Sequence, residues 1–143
     1  MRFDDEVLID AGTADVWSIY SDVERWPEWT PSVRRSEYID GQHLVVGARV
    51  RIEQPKLPKA EWEVTSVDPG RSWTWVATGP GVRTTATHTV EPVDAGTTRV
   101  HQTIEQHGPL GAVIGRVYGK LTRDYLRMEA SGLKQRCESH RAA

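Results

Sequence analysis

Residues 110–137 constrain this chain more than any other stretch. Their apolar positions, Leu110, Val113, Ile114, Val117, Leu121, Tyr125, Met128 and Leu133, mostly recur every three or four residues, the period of an α-helix. A helix of that length runs about 40 Å and needs a broad apolar partner. Gly111, Gly115, Gly119 and Gly132 lie within or beside it, and each costs about 1 kcal/mol of helix propensity relative to Ala. Such a set of small residues predicts close packing on a curved sheet. The alternative is a bend that opens over a pocket.

The chain before this helix alternates with the period of strands. Residues 2–10 form a first strand candidate. Thr13 then reads as the cap of a short helix bearing Val16, Trp17, Ile19 and Tyr20. A second short helix over 24–29 carries Trp26 and Trp29 to similar sides. Six further strands are predicted, over 33–40, 44–53, 59–67, 72–78, 82–91 and 97–107, separated by turn signals such as Asp68-Pro69-Gly70 and Gly79-Pro80-Gly81. In the second of these, Val46, Ala48, Val50 and Ile52 share one parity. The polar residues 138–143 read as a frayed tail. Short turns between strands point to a meander of hairpins rather than parallel units, hence an α+β domain: a curved antiparallel sheet of about seven strands, two short helices after the first strand, and one long terminal helix.

Composition narrows the chemistry. The length of 143 residues suits a single domain, and a net charge of −2 gives no global attraction to nucleic acid or anionic lipid, although a local basic patch is compatible with it. No motif of a nucleic-acid module is present. Cys137 is the only cysteine, so neither an internal disulfide nor a thiolate metal cluster is available. The histidines show no zinc spacing, and no glycine-rich phosphate loop follows a strand. No metal or cofactor is therefore expected. The opening residues lack a signal-peptide core, and no run is apolar enough for a membrane span. The chain reads as a cytoplasmic protein. A homodimer stays open.

The candidate site lies on the parities expected to face inward. Six tryptophans against one phenylalanine make the interior unusually rich in indole. Trp62, Trp73 and Trp75 sit on adjoining strands, Ile104 on the last, and Ile114, Tyr118, Leu121 and Tyr125 on the helix. Trp29 is either a lid on the core or the border of a cavity mouth. Thr84, His88 and Gln102 are polar residues on inward parities, and a buried polar group needs a partner: ligand, water or side chain. His88 is either a satisfied structural histidine or a group that binds a phenol or carbonyl and moves a proton near neutral pH. Tyr118 and Tyr125 are possible hydroxyl donors beside it. Arg116, Lys120, Arg123 and Arg127 share one side of the helix, as a solvated face or as a charged rim for an acidic ligand.

Taken in order, several segments resemble a known superfamily. They are the strand from Glu6 to Ile9, Ala14-Asp15-Val16-Trp17, Ser21-Asp22-Val23-Glu24-Arg25-Trp26-Pro27-Glu28-Trp29, Val46-Gly47-Ala48, Trp62-Glu63-Val64, Asp68-Pro69-Gly70-Arg71, Gly96-Thr97-Thr98-Arg99-Val100 and the long helix. The chain is similar to START-related lipid-transfer domains, polyketide cyclases/dehydrases and birch-pollen-allergen-like proteins, and is closest to the bacterial polyketide cyclase/dehydrase-like group. That resemblance implies a helix-grip fold, one START-like domain over residues 1–143, and a hydrophobic cavity between sheet and helix. It implies binding or carriage of a small hydrophobic molecule, lipid-like or aromatic. The alternative is a polyketide cyclase or dehydratase that orients its substrate with cavity polar residues. The inward arginine that some cyclases of this fold use has no counterpart here, which leaves His88, Tyr118 and Tyr125 as candidates for proton transfer. The implied ligand contacts are Trp29, Trp62, Trp73, Trp75, Thr84, His88, Gln102, Ile104, Ile114, Tyr118 and Leu121.

Overall fold

The structure is a computed structural model that describes residues 1–142, with side-chain burial through residue 140. Seven strands form one sheet in the order β1-β7-β6-β5-β4-β3-β2: β1 (Arg2–Ile9), β2 (Arg35–Asp40), β3 (Arg49–Glu53), β4 (Ala60–Asp68), β5 (Ser72–Gly79), β6 (Val82–Asp94) and β7 (Thr97–His107). Every pairing is antiparallel. Helix α1 (Thr13–Tyr20) and a 3₁₀ turn (Val23–Glu28) follow β1, and helix α2 (Gly111–Ala142) closes the described chain. The predicted order of elements holds.

Four local expectations change. Thr13 is the first helical residue rather than the cap. Gly12 takes the cap position with no side-chain bond, while the Thr13 hydroxyl lies 3.2 Å from that of Thr98. The strand expected over 44–53 begins only at Arg49, because Gly47 turns the backbone to φ +92° and leaves Val46 64% exposed. The strand expected over 33–40 begins at Arg35. The tail expected to fray from residue 138 is the end of α2, which runs for 32 residues or about 48 Å.

The face of α2 that meets the sheet also differs from the expected one. Its buried positions are Gly111, Gly115, Gly119, Tyr125, Leu126, Glu129, Leu133 and Cys137. Leu110, Val113, Val117 and Met128 stand at the surface, 44%, 54%, 68% and 38% exposed. The reason is distance. The helix packs mainly along β1 and β7, where a Cβ at Gly111 would lie 3.0 Å from the Gln106 carbonyl oxygen and one at Gly115 would lie 2.6 Å from the Met1 side chain. Glycine lets the helix backbone come that close, and valine does not. At the other end a Cβ on Gly132 would sit 1.9 Å from the Trp29 carbonyl oxygen. The packing reading of the glycines therefore accounts for their spacing.

The inner face of the sheet is continuous across the strands. Trp73, His88, Gln102 and Asp5 form one cross-strand row, Trp75, Ala86, Ile104 and Phe3 the next, and Ala77, Thr84 and Gln106 a third. Trp26 and Tyr20 come down from the other side, with Trp26 ring centroids 5.6 Å from Trp75 and 5.5 Å from Trp29. Each such ring removes roughly 150–250 Å² from water on burial, which at about 25 cal/mol per Å² makes this cluster the main stabilising mass of the core. The strand arginines stay outward and exposed, as with Arg49 on Asp40 at 2.5 Å and Arg51 on Glu61 at 3.6 Å.

The contact at Gly132 carries a direct test. Gly132→Ala drives a methyl into the Trp29 carbonyl and should destabilise the fold by at least about 2 kcal/mol. Gly96→Ala, which meets nothing within 4 Å, should melt within a few degrees of the parent. Thermal denaturation of the two variants checks the contrast.

Candidate functional site

The inner face divides into a closed polar end and a more open apolar end. At the closed end, Glu129 projects from the buried face of α2. Gln102 Nε2 donates to Glu129 Oε1 at 2.9 Å, and Ser32 Oγ donates to Glu129 Oε2 at 3.0 Å. The Ser32 and Thr30 hydroxyls lie 2.8 Å apart. Burial pushes the Glu129 carboxyl up to about 7, and its bonds to Gln102 and Ser32 offset part of that rise. Tyr20, Asp5 and Gln102 join Glu129 around a small cavity of about 10 Å³, close to the space of one water molecule. The Tyr20 hydroxyl has no hydrogen-bond partner among the described residues. Burial first, and the Glu129 charge second, raise its pKa well above the ordinary phenol value.

His88 stands beside this network inside a cage of rings. It stacks on Trp73 at 4.2 Å, and Trp75, Tyr20 and Trp26 approach at 5.0, 5.6 and 5.8 Å. Nδ1 lies 3.3 Å from the Trp73 carbonyl oxygen, which only accepts, so the ring proton sits on Nδ1 and Nε2 keeps a lone pair. Nε2 is buried without a partner among the described residues. Burial lowers the imidazole pKa to about 3, with the bond to Trp73 opposing it. Near neutral pH His88 is therefore an uncharged acceptor.

The more open end lies between α2 and the middle strands. Tyr125 donates its hydroxyl to the Pro55 carbonyl in the β3–β4 loop, and Ile114, Tyr118 and Leu121 share its flank of α2. Ile114, Tyr118 and Leu121 are half-buried there. Trp62, Thr84 and Ile104 are half-buried on β4, β6 and β7. Trp75 and Ala86 pair across β5 and β6, with the Trp62 ring 5.9 Å from Trp75. These half-buried side chains are the candidate lining of a trough between α2 and the sheet. Gln102 lies two residues from Ile104 along β7, and Glu129 one turn from Tyr125 along α2.

Trp62, Thr84, Ile104, Ile114, Tyr118 and Leu121 are each half-buried, Trp75 is buried on the inner face, and Trp73, His88 and Gln102 lie in the closed end. Tyr125 links α2 to the β3–β4 loop through its bond to Pro55. Trp29 stands apart, on the far side of Trp26, where two open surface clefts of about 400 and 730 Å³ flank it. Their walls mix opposite charges, including an Arg136–Glu28 contact of 2.6 Å, and they lie outside the inner face. Glu129, Tyr20, Ser32 and Asp5 are additions to the sequence reading. The signal for Glu129 was its place in the series Leu126, Glu129, Leu133 and Cys137, a carboxylate on an otherwise apolar stripe. Among the described residues no group of three or more His, Cys, Asp or Glu is placed to hold a metal ion.

This arrangement, a curved antiparallel sheet gripping a long helix over an apolar inner face, is the helix-grip architecture of START and related domains. The chain belongs to the family described as polyketide cyclase/dehydrase and lipid transport, whose profile matches residues 1–138. A comparison with curated proteins returns no match. Among solved structures, norcoclaurine synthase from Thalictrum flavum, as a point mutant with a transition-state analogue, superposes with a TM-score of 0.74 at 17% identity, over 99% of this chain and 96% of that one. A START superfamily protein from Mycobacterium smegmatis gives 0.72 at 17%, over 96% and 97%. The di-domain aromatase/cyclase BexL of the BE-7585A biosynthetic pathway gives 0.72 at 22% over 96% of this chain, which spans only 46% of BexL. Identities this low establish a shared fold.

Glu129 and His88 predict opposite pH effects on stability. The folded pKa of Glu129 is raised, so its favourable contribution is complete below about pH 4.5 and is lost as pH rises through about 7. The folded pKa of His88 is lowered, so stability falls as pH drops below about 6.5 towards 3. Glu129→Gln should remove the decline between pH 5 and 8, and gain up to about 3 kcal/mol at pH 8 relative to the parent. Denaturant unfolding across that range checks the sign. An equal decline in the variant would assign it to another group.

Proposed function

We propose that this protein binds a small hydrophobic molecule, lipid-like or aromatic, in the trough between α2 and the sheet, with the polar end of that molecule towards Gln102 and Glu129. The supporting observation is the set of apolar side chains on β4, β7 and α2 that remain half-exposed: Trp62, Ile104, Ile114, Tyr118 and Leu121. Core residues facing inward are ordinarily covered, and concave apolar surface with a few polar groups at one end is the usual form of a small-molecule site. Indole and phenol rings suit flat or unsaturated ligands through stacking. The family description and the solved relatives support this class of function.

One observation favours a second reading, a cyclase or dehydratase. Glu129 has a pKa near neutrality and lies one turn from Tyr125 along α2, so it meets the protonation requirement of a general acid or base. His88, caged and neutral, suits that role less well than it suits accepting a hydrogen bond. No step is assigned to Tyr118 or Tyr125 beyond lining the trough.

Native mass spectrometry on protein purified without detergent, followed by denaturing extraction, should reveal a retained hydrophobic species or selective uptake from a panel of fatty acids and polycyclic aromatic ketones. Trp62→Ala and Leu121→Asp should each weaken uptake about tenfold or more, through loss of roughly 1.5–3 kcal/mol of apolar contact. Absence of binding across the panel, or affinity unchanged in both variants, would remove the reading. Turnover of a polyketide-like substrate that Glu129→Gln abolishes and His88→Ala retains would favour the enzyme.

A further inference from the structure

The apolar ridge that α2 turns away from the sheet has a charge pattern of its own. Val113 and Val117 form its crest and are substantially exposed; Leu110, just before the helix, lies against Gly81, and Met128 stands exposed further along the same face. Arg116, Lys120, Arg123 and Arg127 run along the flank next to this crest. Asp124 is the one acid in that stretch, 4.0 Å from both Lys120 and Arg127, so three positive charges remain in surplus. Arg123 lies over the Phe3 ring at 5.5 Å, with its side chain against the sheet edge. The whole chain carries a net charge of −2, so this helix face runs against the global balance.

Exposed apolar side chains in a row, bordered by a row of bases, are the pattern of a helix that lies in a membrane interface. The apolar crest enters the acyl boundary and the bases meet anionic headgroups. We infer that the N-terminal half of α2 docks this protein on the surface of an anionic membrane. Charge complementarity selects this occupant. A second copy of the chain would bring the same surplus of cations and, from this face, only Asp124 to answer it. No helix among the described residues is long and apolar enough to cross a membrane, so the contact is peripheral. It places the bilayer next to Ile114, Tyr118 and Leu121, but the inference does not rest on what the trough holds.

Co-sedimentation of the full chain with vesicles tests it without any trough ligand. Protein should sediment with phosphatidylcholine vesicles containing phosphatidylglycerol, and release as salt shortens the range of the attraction. Val113→Asp with Val117→Asp should lose at least tenfold in apparent affinity. These positions are exposed, and a retained circular dichroism spectrum and melting point confirm the fold. Arg116→Gln, Lys120→Gln and Arg127→Gln should each weaken binding roughly fivefold at low salt. Failure to sediment at low ionic strength, equal sedimentation with pure phosphatidylcholine, or full binding by the double aspartate variant overturns the inference. A dimer seen by light scattering and dissolved by Val117→Asp, with no vesicle binding, also overturns it and makes the ridge a subunit contact.

Discussion

The close approach of α2 to the sheet is the constraint on which the rest of this structure depends. Glycines at 111 and 115 bring the helix backbone close against Gln106 and Met1, Gly119 lies at ordinary contact distance from Phe3, and Gly132 seats the helix against the Trp29 carbonyl. Four such residues weaken a free helix by several kcal/mol in sum. The packed helix recovers that cost through dense contact along its length. Once the glycines face the sheet, helical geometry places everything else. Glu129 falls in the interior, Ile114, Tyr118 and Leu121 fall on the flank that carries Tyr125, and the valines fall on the outside.

Two kinds of interior result. The closed end is packed with rings around His88, which holds that histidine neutral and leaves no broad space beside it. The buried carboxyl is bonded by an amide and a hydroxyl, yet burial still favours its protonated form. The other end keeps apolar side chains partly uncovered. Aromatic mass secures the end beneath α1, while Ile104, Ile114, Tyr118 and Leu121 at the other end stay half-buried. The two relatives that span similar lengths share this architecture at 17% identity, so the division must be read from this chain's own residues.

Much of this was legible in the sequence, for identifiable reasons. Strand parity put Trp73, Trp75, Thr84, His88, Gln102 and Ile104 on the inner face, because alternation survives wherever one face is buried. Turn residues set the hairpins. Misreadings arose where a local rule met a tertiary one. The apolar series through Val113 and Val117 has a good helical period, but hydrophobicity alone ranks valine above glycine as a core residue. Only the distance between helix and sheet reverses that order. Val46 continued a plausible strand parity that the positive φ of Gly47 interrupts.

By itself, the sequence determined the order of elements, the antiparallel meander, the inward parities and the family, because each rests on local periodicity, turn chemistry or the order of short segments along the chain. Tertiary structure alone decided that glycines rather than valines meet the sheet, that Glu129, Gln102, Tyr20 and Asp5 converge on one small cavity, and that a basic-edged apolar ridge is left uncovered. These outcomes depend on how closely two backbones approach and on which distant residues then share a space. No periodicity within a single element records either.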